Sequence, residues 1–129
     1  GCMGTPQPPI GRWQGQYVDA NLVVVVRMQI DAKGVVHVSA PNAIGEFAKM
    51  PQADREGLFE NLQGQIAKAW PSVKPIELDF DGKVFRKPGG VAPQFEWDPK
   101  SQHMTMVYYS GNRSSVRIPL TGVKQFGES

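Results

Sequence analysis

The chain has 129 residues, of which 40% are hydrophobic and 20% are charged, with a formal net charge of +2. These values are typical of a single globular domain and exclude a disordered or fibrous chain. The basic residues are scattered, and the cluster Arg86–Lys87 is too short to hold a phosphate backbone, so nucleic acid is not expected as a partner.

Residues 1–10 contain small, polar and proline residues without apolar periodicity, which predicts a flexible tether. Residues 11–129 are predicted to form one domain. Its first part contains three short strand patterns, at 13–18, 22–30 and 35–39, joined by turn residues. Strands joined by short turns predict an antiparallel meander.

One amphipathic helix is predicted at residues 51–70. Leu58, Leu62 and Ile66 recur every four residues and form a single apolar stripe, which Phe59 and Trp70 extend. Pro71 follows the pattern and ends it, because proline cannot continue a helix.

The second half of the chain reads as strands and turns. The strand patterns lie at 76–80, 83–86, 94–98, 103–109 and 114–120. With those of the first half, they make about eight antiparallel strands in sequence. Such a meander favours a closed up-and-down barrel or a strongly curved sheet, because closure removes exposed strand edges.

Residues with catalytic potential do not assemble into a recognisable motif. His37 and His103 each lie inside a predicted strand, and no GxSxG nucleophile motif accompanies them. Two histidines far apart, without an HExxH pattern, do not predict a zinc site, and the lone cysteine excludes multi-cysteine motifs. No catalytic residue, metal or cofactor is therefore assigned.

Apolar side chains on the late strands are the candidates for a ligand pocket. They are Phe85, Phe95, Trp97, Met104, Met106 and Tyr108. Methionine adapts to irregular shapes, which suits a pocket for a hydrophobic ligand. The alternative is a packed core, because small eight-stranded barrels either hold one small ligand or are filled by side chains.

The stretch Gly11–Arg12–Trp13 resembles the GxW motif that opens the first strand of lipocalin and other calycin barrels. In that family an arginine near the end of the last strand packs across the tryptophan, and Arg117 occupies the matching position. The resemblance implies a lock between Gly11, Trp13 and Arg117, with the guanidinium stacked on the indole. It also implies a barrel that binds a small hydrophobic molecule.

The opening Gly1–Cys2 resembles the processed start of bacterial lipoproteins, in which a lipid-modified cysteine precedes a flexible tether. The resemblance implies lipidation of Cys2, with residues 3–10 as the tether. Such an anchor would hold the domain at a membrane surface of the cell envelope or periplasm without a membrane span. The alternative is an ordinary free cysteine.

Three functions follow as hypotheses. The first is a non-enzymatic envelope lipoprotein that binds a small hydrophobic ligand or lipid inside a β-barrel. The second is a structural or interaction protein, in which the barrel is filled and an outer face docks another envelope component. The third is a small hydrolase or isomerase with His37 or His103 in a barrel pocket.

Overall fold

The computed structural model describes residues 6–111 and 114–127 of the chain. This part contains one α-helix, α1, at Gln52–Ala69, followed by a 3-10 turn at Trp70–Ser72. It also contains ten β-strands, which are β1 Gly11–Val18, β2 Leu22–Ile30, β3 Val36–Ser39, β4 Asn42–Ile44, β5 Pro75–Ile76, β6 Asp79–Phe80, β7 Val84–Arg86, β8 Pro93–Asp98, β9 His103–Tyr109 and β10 Ser115–Val123. The prediction of a mainly β protein with one helix near residues 51–70 is confirmed.

The strands form one antiparallel sheet that curls into a half-barrel, in agreement with the predicted barrel or curved sheet. The strand order is β5-β3-β2-β1-β10-β9-β8-β7-β6, and β4 pairs with β2 next to β3. Most paired strands are neighbours in sequence, as a meander requires. The first and last strands also pair, through Arg12–Gln14 and Thr121–Val123, and therefore lie in the middle of the sheet.

The two edges of the sheet are formed by β5 and β6, which only Glu77 and Leu78 separate. The single strand predicted at 76–80 is therefore wrong. β5 pairs with β3 and β6 pairs with β7, so the segment crosses from one edge of the sheet to the other. A second difference is the short strand β4, which lies between the predicted strand at 35–39 and the predicted helix, where no strand was predicted.

The nearly continuous burial of β2 arises because both faces of this strand are covered. Val24, Val26 and Met28 belong to the main core on the concave face of the sheet. Val23 and Val25 point to the opposite face, where they pack with Phe47 and with Leu62 and Ile66 of α1. A strand that is buried on both faces has an uninterrupted apolar sequence rather than an alternating one.

The C-terminal end of α1 differs from the predicted stripe. Leu62 and Ile66 are buried and Leu58 is half-buried, as the pattern predicted. Trp70 begins the 3-10 turn instead and packs edge-on against Phe126, with ring centroids 4.8 Å apart. The helix end thereby contacts the segment that follows β10.

The proline-rich segment before β1 lies beside two turns of the barrel. A Cβ on Gly34 would lie 3.5 Å from Cδ of Pro8, and one on Gly82 would lie 3.8 Å from Cβ of Pro6. Residues 6–10 therefore run past the end of the barrel at these turns, and the remainder of the predicted tether lies outside the described residues.

Two glycines weaken α1 without a packing role, so replacing them is expected to stabilise the protein. A Cβ added to Gly57 or Gly64 meets no atom within 4 Å. Because alanine favours the helix over glycine, each substitution is expected to raise the free energy of unfolding by about 0.5–1 kcal/mol. Urea denaturation of Gly57→Ala, Gly64→Ala and the double variant measures this gain. An unchanged or lowered midpoint would contradict the assignment of these positions to open helix surface.

The turn between β6 and β7 is expected to give the stability a dependence on pH. Asp81 accepts hydrogen bonds from the backbone N–H groups of Val84 and Lys83, at 2.8 and 2.9 Å, and from Nη1 of Arg86 at 2.9 Å. These bonds, the one from Val84 above all, lower the pKa of Asp81. A lowered pKa stabilises the fold above the unfolded value of about 3.9, and this stabilisation is lost as the pH falls through the folded value.

The variant Asp81→Asn is therefore expected to have a lower Tm than the wild type at neutral pH. The difference should narrow below about pH 4, as the carboxylate becomes protonated in the unfolded and then in the folded wild type. Melting curves from about pH 2 to pH 7 test this, with the exposed Asp79→Asn as control. A Tm difference that is the same at every pH would refute the role of the ionised carboxylate.

Candidate functional site

The six candidate pocket residues lie together in and around the main core. Phe85, Met104 and Phe95 are 0%, 1% and 2% exposed, and Trp97 is 9% exposed. Met106 and Tyr108 are partly buried and pack against the same cluster. The ring of Phe85 stacks on that of Phe80 at 4.4 Å and meets Phe95 edge-on at 6.2 Å. The inside of the half-barrel at these residues is thus occupied by side chains in mutual contact.

The expected stack of Arg117 on Trp13 does not match the strand register. Trp13 pairs with Gly122, five residues beyond Arg117. Arg117 alternates with the buried Ile118, so its side chain points to the outer face, whereas Trp13 is buried in the core. The guanidinium instead bonds to Glu96, with 2.8 Å between Nε and Oε1. Both side chains are partly exposed, so this pair adds little stability.

Trp13 is held by two glycines and a second tryptophan. A Cβ on Gly11 would lie 3.3 Å from the indole ring, and one on Gly122 would lie 3.6 Å from its Nε1. The ring of Trp97 meets Trp13 edge-on at 5.9 Å. The first glycine of the GxW stretch therefore leaves room for the indole. The ladder through Trp13, and not a contact with Arg117, joins β1 to β10.

The histidines are not brought together. His37 lies on β3 and His103 on β9, and β2, β1 and β10 separate these strands in the sheet. Each lies near one turn aspartate, Asp31 for His37 and Asp98 for His103. Both aspartates accept backbone hydrogen bonds that hold their turns. Within residues 6–111 and 114–127, no three His, Cys, Asp or Glu side chains lie close enough to hold a metal ion.

The predicted lipidation residue, Cys2, lies outside the described residues. Of the helices in those residues, α1 included, none combines the length and apolar character that a membrane span needs.

A groove of about 500 Å³ lies on the outer face of the sheet, beside α1. Its walls come from β1, β2, β10, α1 and the segment after β10. The lining residues are Gln14, Gly15, Gln16, Val26, Arg27, Gln63, Thr121, Gly122, Val123 and Gly127. Its volume lies in the range of about 300–1,000 Å³ that is common for small-molecule sites.

Arg27 is the charged side chain among these lining residues. It follows the buried run of β2 and is itself half-buried. Burial lowers the pKa of its guanidinium, which nonetheless keeps its charge at neutral pH because arginine titrates so far above it. The guanidinium carbon lies 5.1 Å from the centroid of the Phe126 ring, which is a cation–π contact.

The segment after β10 contributes Gly127 to the lining of the groove. The backbone N–H of Gly127 donates to Oε1 of Gln14 at 2.9 Å, which ties the segment to β1. Phe126 packs between Trp70 and Arg27. Gln14 and Gly127, which are distant in sequence, are thus joined at the groove that both residues line.

Some of the residues that line this groove could have been recognised from the sequence. In β1, Gln14 and Gln16 alternate with Trp13 and Tyr17, a pattern that marks one polar face. Arg27 ends the apolar run 22–26 of β2, and a half-buried arginine generally has a specific partner. The contribution of Gln63 depends on how α1 packs on the sheet, which has no local signal.

Comparison with protein-family models, with curated proteins and with solved structures finds no match for this chain. The lipocalin-like resemblance is therefore supported only as far as a barrel-like, curled antiparallel sheet.

Proposed function

We propose that this protein is a non-enzymatic binding protein of the cell envelope, in which the half-barrel is a rigid scaffold and the outer groove binds the ligand. The observation that carries the proposal is the filled interior. Phe85, Phe95 and Met104 are at most 2% exposed and pack in one cluster. A ligand at these side chains would have to displace the core, whereas the groove beside α1 is open.

Envelope location is part of the same proposal. It is supported by the lipoprotein-like opening at Gly1–Cys2 and by the tether-like composition of residues 3–10. Growing cells that express the natural gene in the presence of radiolabelled palmitate are expected to label the protein, but not its Cys2→Ser variant. Equal labelling of both proteins, or of neither, would contradict the anchor.

Groove binding can be tested with neutral polar probes. We expect N-acetylglucosamine or N-acetylglycine methylamide to shift the NMR signals of Gln14, Gln16 and Gln63 in the ¹⁵N-labelled protein, while the indole signal of Trp97 stays in place. Shifts confined to core residues, or no shift with either probe, would overturn the proposal.

A blocking variant adds a control for position. Gln63→Trp places a large ring at the groove wall and is expected to abolish the shifts. Ala53→Trp adds the same ring to the exposed first turn of α1 and is expected to leave them unchanged. Equal effects of the two variants would argue against the groove.

A second candidate is the binding of an apolar molecule at the inner face. It is favoured by Met106 and Tyr108, which pack on the core but remain partly accessible. N-phenyl-1-naphthylamine, a neutral apolar fluorophore, tests it. Saturable fluorescence enhancement that Met106→Arg removes would support this candidate, and no enhancement would leave the groove as the binding site.

A further inference from the structure

Arg27, the arginine of the groove, differs from the other described arginines in the hydrogen bonding of its side chain. Four other arginines of the described chain donate hydrogen bonds to acceptors within the protein. These are Arg12 to Gln29 and the Lys124 carbonyl, Arg55 to the Phe47 carbonyl, Arg86 to Asp81, and Arg117 to Glu96. The guanidinium of Arg27 makes no hydrogen bond or ion pair with any residue of 6–111 or 114–127.

The contact with Phe126 holds the guanidinium without consuming its donors. An aromatic ring attracts a cation through its π-face and does not act as a conventional acceptor. The ring is itself fixed by its edge-on contact with Trp70. Arg27 is therefore positioned by packing while its N–H groups remain available. These N–H groups are accessible from the groove, so they can donate to an anion that enters it.

The other polar groups of the groove are neutral. Gln16, Gln63 and Thr121 offer amide and hydroxyl groups, and the described lining residues include no aspartate or glutamate. The side chains of Gln16 and Gln63 are exposed and make no hydrogen bond to other described residues. One positive charge surrounded by neutral donors and acceptors matches a monoanion with further polar groups.

We propose that the groove binds a small ligand that carries one carboxylate, with Arg27 as its partner and with Gln16 and Gln63 bonding the neutral part of the ligand. This inference rests on the proposed function and names the chemistry of its ligand. The planar fork of a guanidinium matches a carboxylate with two parallel hydrogen bonds. A dianionic phosphate would call for more than the one cation among the described lining residues.

The test compares matched probes that differ in charge. N-acetylglycine carries a carboxylate, and N-acetylglycine methylamide replaces it with a neutral amide. Glucuronate and glucose form a second pair, which separates a peptide-type from a sugar-type source of the carboxylate. NMR titration is expected to show that the acid of at least one pair binds at the groove about tenfold more tightly or better, as a charged hydrogen bond requires.

Substitutions assign the effect to Arg27. Arg27→Gln is expected to remove the preference for the acid, and Arg27→Lys to retain part of it, because lysine keeps the charge but loses the fork. Arg117→Gln is the matched control and is expected to bind like the wild type. If Arg27→Gln does not fold, the wild-type protein provides a substitute measurement. The NMR signal of the Arg27 Nε–H group is then expected to shift on titration with N-acetylglycine and to stay in place with its methylamide.

The outcomes separate the two proposals. Equal affinity for acid and neutral probe, or a preference that survives in Arg27→Gln, overturns the carboxylate inference while groove binding of the neutral probe preserves the proposed function. Tighter binding of inorganic phosphate than of either acid also overturns the inference. No binding of any probe at the groove overturns both.

Discussion

Replacing Phe85 with alanine is expected to lower the free energy of unfolding by about 3–5 kcal/mol. The side chain is 0% exposed, stacks on Phe80 and meets Phe95 edge-on. Alanine would remove most of this buried area and leave a cavity that the surrounding strands of the half-barrel cannot fully close. Equilibrium urea denaturation measures the loss, with the free energy of unfolding expected to depend on urea concentration with the same slope in both proteins.

The matched control is Phe59→Ala. Phe59 is half-buried on α1 at the outer face, so the same substitution there is expected to cost clearly less. Because engineered apolar cavities bind small apolar molecules, benzene is expected to restore part of the stability of Phe85→Ala. A loss below about 1 kcal/mol would mean that the ring does not fill a packed interior, and the proposal of a filled barrel would then fail.

Replacing Gly15 with alanine is expected to destabilise the protein by about 1–3 kcal/mol or more. A Cβ at this position would lie 2.5 Å from the carbonyl oxygen of Pro119 and 2.7 Å from Cδ2 of Leu120. The oxygen belongs to the backbone of β10, so relief requires β1 and β10 to move apart. These two strands share the ladder that joins the halves of the sheet.

Gly64→Ala, which meets open space, is the control for the glycine substitution itself. Thermal melting of the two variants is expected to move in opposite directions from the wild type. A Gly15→Ala protein with wild-type stability would show that the approach of β1 to β10 is not as close as described.

The sequence predicted those elements that depend on local periodicity. Strand β2 has the predicted bounds, 22–30, because its apolar run lies between clear turn residues. Helix α1 begins one residue after the start and ends one residue before the end of the predicted range 51–70. It could be predicted because the four-residue spacing of its apolar side chains follows from helix geometry alone. The segment 76–80 alternates like a strand but is divided, because its two ends pair with different neighbours at opposite edges of the sheet.

Side-chain roles were less predictable because they depend on register between distant strands. The alternation of side chains along β10 shows from the sequence alone that Arg117 and the buried Ile118 point to opposite faces of the sheet. The pairing of Trp13 with Gly122 cannot be predicted in this way, since no local pattern fixes the register of β10 against β1. The groove combines Gln14, Gln63 and Gly127, three residues from separate elements, and so required the tertiary structure.

The division between β5 and β6 has a consequence for how the chain can be cut. Residues 11–76 and 79–123 each carry complete hairpins, and the β1–β10 ladder together with the core joins them. Cleavage of the peptide bond between Glu77 and Leu78 would remove no strand pairing. Two separately made fragments that meet at this bond are therefore expected to associate and complement each other, with the natural gap in the sheet as the point of division.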